Sequence, residues 1–402
     1  MATTIQTRCV VVGGGPAGMI TGLLLARAGV DVVVVERYPD FFRDFRGETV
    51  HPSTLRMFDE LGYVDDFLRL PHQKAGVLKQ STAGNERATL DFTRLPGRFN
   101  YMALMPQWDF LNFLVEKASQ FPNFCLLQGT EVTDLTGDRS QPTGVRATGP
   151  DGELEVTAGL IIGADGRHST VGSMLNMEKS SSEAPMDVLW FRLSKKPDES
   201  LTYVYTDIGL YVVCIDRGDY WQIAYVIPQG EFEQVKVRGL GAIRDHLATA
   251  HTLLADRFET DITSWDEIHL LAVSVDRLRT WHKGGVLCIG DAAHAMSPTG
   301  GVGISLAIQD AVAAARILGP ELMAGRKPDE KTLARVQRRR EWAVRAIQQM
   351  QVHMLSENYP KSDSAKAPPK IGFHLLRRLP GFARILARVV GMGLRPEPVD
   401  RR

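Results

Sequence analysis

Short unbroken apolar runs and stretches of helical spacing take turns along this chain. Cys9-Val10-Val11-Val12 reads as a strand, a helix follows over 19–28, and a second strand over 32–35 ends in Glu36. Leu160-Ile161-Ile162 and Val286-Leu287-Cys288-Ile289 are two more apolar strands, each delivering an Asp. Helical spacing recurs over 53–61 (Leu55, Phe58, Leu61), 107–120 (Phe110, Leu111, Leu114, Ala118) and 304–318. A long helix over 331–357 carries the apolar stripe Leu333, Val336, Ala343, Ile347, Met350 and Met354. Residues 71–103 are irregular and strand-like. The stretch from 184 to 275 is strand-rich, with candidates at 188–193, 201–206, 210–215, 220–227 and 268–275 and one helix over 238–250.

Chemistry enters at the turns. Gly13-Gly14-Gly15-Pro16-Ala17-Gly18 lies between the first strand and its helix. Gly13, Gly15 and Gly18, with Ala17, allow a tight turn and a close approach of backbone to a pyrophosphate. The helix N-terminus then offers free N–H groups and the positive end of its dipole. Glu36 stands where a carboxylate accepts hydrogen bonds from an adenosine ribose, and Arg37 beside it is counted with the same site. This motif serves NAD and FAD alike. A longer cofactor needs a second segment for its other half, and Gly290-Asp291 supplies one. Asp291 can hold a ribityl hydroxyl. The helix beginning near Gly303 can aim N–H groups of Gly301, Gly303 and Ile304 at the pyrimidine edge of a flavin, which turns anionic on reduction. Gly163-Ala164-Asp165-Gly166-Arg167 is the third segment.

In order and spacing these three segments resemble the FAD-dependent monooxygenases of the aromatic hydroxylase type, the class A family named for p-hydroxybenzoate hydroxylase, over roughly residues 7–355. The resemblance implies non-covalent FAD, NADH or NADPH as reductant and molecular oxygen as co-substrate. It further implies hydroxylation of an aromatic or polyketide-like small molecule through a flavin C4a-hydroperoxide. It carries over Arg46 as a neighbour of the FAD phosphates and ribityl chain, Gln107 as a ribityl contact, and Asp165 as a residue near the pyrophosphate. Ser305 stands where many relatives have Asn, so only a backbone contact carries over there.

The implied fold is α/β, a Rossmann-type FAD-binding domain interleaved with an antiparallel-sheet substrate domain, plus C-terminal helices. Residues 1–70, 104–183 and 276–358 are assigned to the FAD domain and 71–103 and 184–275 to the substrate domain. Residues 359–402 form a linker and helical segment. The substrate sheet is rich in aromatics: Trp190, Phe191, Tyr203, Tyr205, Tyr211, Tyr220, Trp221 and Tyr225. Some should line an apolar pocket for a planar ring, while the rest pack the core. Phenol hydroxylation is helped by a base. His51 and His72 are candidates because both fall near the expected flavin–substrate boundary. Gln222 is expected to face the flavin where p-hydroxybenzoate hydroxylase has arginine. That favours a larger, less charged aromatic, quinoid or polyketide-like substrate over a small benzoate.

Three rival readings share the motifs. A flavin halogenase carries Trp-x-Trp-x-Ile-Pro, whereas Ile223-Ala224-Tyr225-Val226-Ile227-Pro228 lacks both tryptophans. A flavin reductase of isoprenoid double bonds would work without oxygen, and a flavin-binding protein without turnover would do neither. Composition narrows the setting. Among 402 residues, 47 Lys+Arg balance 47 Asp+Glu, which gives no global attraction to nucleic acid. Cys9, Cys125, Cys214 and Cys288 are far apart, with neither metal-ligand spacing nor a disulfide pattern. The first strand starts too early for a signal peptide, and no apolar run approaches the roughly 18 residues of a spanning helix. A cytoplasmic monomer or homodimer is expected. The tail repeats Leu375, Leu379, Phe382, Leu386 and Val390 at helical spacing, broken at Pro380-Gly381, among eight Lys or Arg and two acids. It is expected to dock on its own protein; contact with a membrane surface, without stable anchoring, is the alternative.

Overall fold

The computed structural model describes residues 3–42, 47–82, 84–182, 186–201, 203–207, 209–358 and 382–399. Two large sheets carry the mixed α/β architecture. The first is parallel at its centre. Strand Thr3–Val12 lies between Val32–Val35 and Gly152–Gly163, with Phe124–Leu127 and Val286–Cys288 outside them. Val32–Val35 and the last four residues of Thr3–Val12, Cys9 to Val12, are buried at every position, as solid apolar strands must be when both sheet faces are covered. The register aligns Val12 with Val35 and Gly163, and Gly163 with Cys288. All these strands therefore end along one edge, where Gly13, Glu36, Ala164 and Gly290 follow. In an open parallel sheet that edge is the ligand crevice.

The second sheet has seven strands in the order His269–Leu271, Met186–Ser194, Tyr220–Pro228, Leu210–Asp216, Val204–Asp207, Val77–Thr82 and Asn85–Asp91. It is antiparallel except where Val204–Asp207 meets Val77–Thr82. Helices Phe232–Arg238, Leu240–Ala250 and Thr252–Asp261 cover one of its faces through Val235, Ile243, Leu247, Leu254 and Phe258.

Three local expectations change. The helix expected over 238–250 is Leu240–Ala250, and a further helix, Phe232–Arg238, precedes it across Gly239 at φ +83°. The strand over 268–275 divides between sheets: His269–Leu271 pairs with Met186–Ser194, and Val275–Leu278 joins Lys179–Ser182 and His294–Ala295. The buried carboxylate of Asp187 causes the break by accepting the Val273 and Gly230 amides at 2.9 and 2.8 Å, bonds that a continuing ladder would have supplied. The strand expected over 201–206 is Val204–Asp207.

Helices Val302–Met323 and Glu330–Asn358 pack together beside the first sheet. Leu333, Val336, Ala343 and Ile347 form the buried stripe as expected, with Met350 half-buried; the Met354 side chain lies outside the described residues. Helix Phe382–Met392 docks on strand Asn85–Asp91 and helix Pro52–Leu61. Ala387, Val390 and half-buried Leu386 meet Leu78, Leu90, Phe92 and Leu95. Leu375, Leu379 and the Phe382 side chain lie outside the described residues. One helical span among the described residues, Thr299–Met323, is long and apolar enough to cross a membrane, and it is mostly buried in the core. Cys9, Cys214 and Cys288 are buried and Cys125 is exposed, all four as free thiols.

The helices and the tail are joined by buried charge. Asp310, fully buried, accepts from Arg340 Nε at 2.9 Å, His294 Nε2 at 2.5 Å and the Gly290 amide at 3.2 Å. Arg340, also fully buried, donates in turn to the Arg395 carbonyl at 3.0 Å and to Glu397 at 3.4 Å. Burial pushes the Asp310 carboxyl upward, but His294 and Arg340 outweigh it and hold it below the usual carboxylate range. Arg340→Leu would leave that carboxylate in the core with one charged partner fewer. It should destabilise the fold by about 3–5 kcal/mol, read as a lower midpoint in urea unfolding.

Candidate active site

At the glycine turn each position has its own steric reason. Gly13 sits at φ +104°, and a Cβ there would lie 2.4 Å from the Ala164 carbonyl oxygen. A Cβ on Gly18 would lie 1.8 Å from the Gly13 carbonyl oxygen. Around Gly15, by contrast, a Cβ would meet nothing within 4 Å. The crowded glycines hold the turn against the sheet, and the open one leaves a hollow over the start of helix Pro16–Arg27. Pro16 and Ala17 open that helix with no side-chain cap. An open hollow facing uncapped N–H groups suits a pyrophosphate. Glu36, buried, accepts the Gly14 amide at 2.7 Å and the Tyr38 amide at 3.0 Å, so its carboxylate stands against the turn. Arg37 instead lies exposed, with its guanidinium 4.6 Å from the Tyr38 ring centroid.

The other motifs converge on the same edge. Gly290, at φ +58°, is wedged where a Cβ would press Ala307 at 3.1 Å and Ala17 at 3.2 Å, so the first glycine helix and helix Val302–Met323 meet across it. Asp291 follows in a short 3-10 turn. Arg167 reaches it from the third motif, Nε to Oδ2 at 3.3 Å, while its Nη1 is buried with no hydrogen-bond partner. An orphaned guanidinium nitrogen here fits a cofactor phosphate. Asp165 behaves differently from the expectation of a cofactor contact. Its carboxylate turns into its own loop, accepting Ser169 Oγ at 2.7 Å and the Val171 amide at 3.1 Å. Burial raises its pKa against those bonds. Arg167, legible in sequence only as the basic residue after Asp-Gly, is the member of that motif that faces the site.

Gly301, at φ +61°, precedes helix Val302–Met323. Gly303 and Ile304 lie in its first turn, and Ser305 Oγ meets Ser53 Oγ at 3.0 Å. Gln107 is the first residue of helix Gln107–Ala118, directly after strand Met102–Pro106. Arg46 lies outside the described residues.

Each candidate histidine has one ring nitrogen against a backbone carbonyl and the other, His51 Nδ1 and His72 Nε2, buried without a hydrogen-bond partner. His51 is fully buried, with Nε2 3.1 Å from the Gly301 carbonyl, so Nε2 carries the proton and Nδ1 is a buried lone pair without a partner. Burial lowers its pKa to about 4 despite the Gly301 and Gly300 carbonyls. It ties the start of helix Pro52–Leu61 to the turn under the second flavin segment. His72 is held by its own loop, Nδ1 2.7 Å from the Leu70 carbonyl. Gln222 is buried and accepts Arg217 Nε at 2.9 Å, and Arg217 Nη1 donates to the Met105 carbonyl at 3.0 Å. A guanidinium therefore does stand beside Gln222, supplied from position 217.

Strand parity divides the aromatics. Phe191, Tyr205, Trp221 and Tyr225 pack under the three covering helices. Trp190, Tyr203 and Val213 point the other way, into a cluster with Met102, Leu104, Met296 and the Val302 that opens helix Val302–Met323, and Tyr211 packs beside Trp190 and Val213. Tyr203 and Tyr211 are held as neutral phenols, pushed up to about 12 by burial.

A family profile described as FAD binding domain matches residues 6–350. The chain is 32% identical over 389 residues to 6-methylpretetramide 4-monooxygenase of Streptomyces rimosus, covering 96% of this chain and 92% of that one. Among solved structures, P. aeruginosa PqsL in complex with 2-aminobenzoylacetate superposes with TM-score 0.75 at 22% identity, over 88% of this chain and 97% of that one. The flavin-dependent brominase Bmp2 superposes with TM-score 0.77 at 17% identity, over 97% and 94%. At those identities the two structures establish the fold and leave the chemistry to the residues.

The His51 pKa gives a pH dependence with a defined sign. An unfolded histidine binds its proton near pH 6.5, the folded one only near 4. Between those values the unfolded state holds more protons, so this contribution is complete above pH 6.5 and is lost as pH falls towards 4, by up to about 3 kcal/mol. His51→Gln should flatten the fall of unfolding free energy between pH 7 and pH 5.

Proposed function

The chain belongs to the FAD binding domain family, with the FAD-dependent aromatic monooxygenases, and from that premise we propose that it hydroxylates a planar aromatic, polyketide-like small molecule using NADH or NADPH and molecular oxygen. The observation that carries this reading is the near full-length similarity to 6-methylpretetramide 4-monooxygenase. FAD, when bound, supplies the transfer of electrons from the nicotinamide and the activation of oxygen. The protein's part is to bind, to orient and to keep water out. The Gly13–Gly18 turn and Arg167 would hold the phosphates, Glu36 the adenosine ribose and Asp291 the ribityl chain. The first turn of helix Val302–Met323 would face the pyrimidine edge.

The inward face of the substrate sheet fits a flat apolar ring. Trp190, Tyr203, Tyr211 and Val213 present apolar surface, and the neutral phenols can donate hydrogen bonds without adding charge. The Arg217–Gln222 pair at the end of that face offers one cation for a substrate oxygen, and a cation there would favour a phenolate over a phenol. His51, with its depressed pKa, remains neutral at pH 7 and serves as a tether between segments more readily than as a proton acceptor.

Substrate-dependent nicotinamide oxidation in air should consume oxygen and yield a product one oxygen atom heavier, followed by mass spectrometry with labelled oxygen gas. Undiminished turnover under strict anaerobiosis would favour the reductase reading instead. Asp291→Ala should weaken FAD retention by roughly 1.5–3 kcal/mol, the worth of a hydrogen bond to a charged group, measured by flavin release on dilution.

A further inference from the structure

Away from the flavin edge, the outward side of helix Glu330–Asn358 carries charge that nothing above uses. Arg335, Arg338 and Arg339 meet Arg316 of helix Val302–Met323 and Arg395 of the C-terminal segment around an open cleft of about 510 Å3, with Ile317 between them. Two of these arginines are anchored. Arg316 Nη2 and Arg339 Nε reach the buried Glu397 carboxylate at 2.8 and 2.6 Å. Glu397 also takes Arg340, so a single acid already answers three guanidinium groups. Arg335, Arg338 and Arg395 form no ion pair among the described residues. The cleft thus concentrates positive charge in a chain whose 47 basic and 47 acidic residues balance.

A purely structural network would match each base with an acid, because unmatched like charges repel at this range. Arginine forks that are held in place from behind by a carboxylate present their remaining N–H groups outward, the arrangement that suits phosphate oxygens. A second feature lies further along the same helix, outside the residues that line the cleft. Trp342 follows Arg338 by one helical turn and Arg335 by two, on the same side of the helix, and is 58% exposed. An uncovered indole one helical turn beyond a cleft arginine is a stacking surface for a planar ring.

We propose that this cleft binds a nucleotide, with its phosphates on the arginines and its base on Trp342. Arg316 lies about four turns into its helix from Val302, roughly 21 Å along the axis at 1.5 Å per residue. The site is therefore separate from the flavin edge and does not deliver the reductant.

Calorimetric titration of the FAD-loaded protein with ADP at 0.15 M salt tests this. Saturable binding is expected, with Arg335→Ala/Arg338→Ala weakening it at least tenfold. Both residues lie outside the Glu397 pairs, so the thermal midpoint of that variant should be unchanged. Trp342→Ala should weaken ADP several-fold while leaving inorganic pyrophosphate unaffected. Absence of saturable ADP binding, or binding undiminished in the double variant, overturns the proposal. Pyrophosphate binding as tightly as ADP overturns the nucleotide assignment. A raised KM for the nicotinamide nucleotide in the double variant would give the cleft to the reductant and overturn a separate site.

Discussion

The carboxylate of Asp310 has no solvent to fall back on, and three donors from different parts of the chain converge on it. The Gly290 amide belongs to the second flavin segment, His294 to the strand after it, and Arg340 to the long helix. Arg340 then binds the Arg395 carbonyl and Glu397. A buried ion is tolerable only while its partners stay in position. The turn that presents Asp291 and the C-terminal segment are consequently set by one electrostatic condition. Rearranging either end would leave charge unmatched in the core.

The substrate sheet depends on a different rule, the two-residue period of a strand. Phe191 faces the covering helices while Trp190 faces the cluster with Met296 and Val302, and Trp221 and Gln222 divide in the same way. One strand thus supplies a helix-packing face and a ring-binding face at no cost to either. The hydrogen bond from Arg217 to the Met105 carbonyl links that inward face to the strand leading into Gln107. The substrate sheet and one flavin segment are joined where both are needed.

Much of this was legible in the chain because local chemistry specified it. The Gly13–Gly18 turn can be filled by few other residues, as the contacts of Gly13 and Gly18 with carbonyl oxygens make plain. The Val32–Val35 strand and the stripe from Leu333 to Ile347 follow from periodicity alone. What stayed hidden was decided at a distance. Asp187 breaks a strand some eighty positions away through Val273, and Asp165 turns inward because Ser169 and Val171 offer better partners than solvent. The helix expected over 238–250 ran through Gly239, yet its positive φ sets it between two helices. Arg217 escaped notice because the sequence does not reveal which turn residue folds back beside Gln222.

Oxygen activation on a flavin exposes its host to stray hydrogen peroxide, and the disposition of the thiols bears on how the chain ages. Peroxide oxidises thiolates far faster than thiols. Burial drives the thiol pKa of Cys9, Cys214 and Cys288 far upward and keeps all three protonated. Cys9 and Cys288 lie in the very strands that carry the two flavin segments, so those strands offer the oxidant no reactive sulfur. Cys125, on strand Phe124–Leu127 at the end of the parallel row, is the thiol that solvent reaches. A solvent-borne oxidant therefore meets a thiol first at the margin of the sheet, away from the cofactor crevice, and partial burial raises even that thiol's pKa.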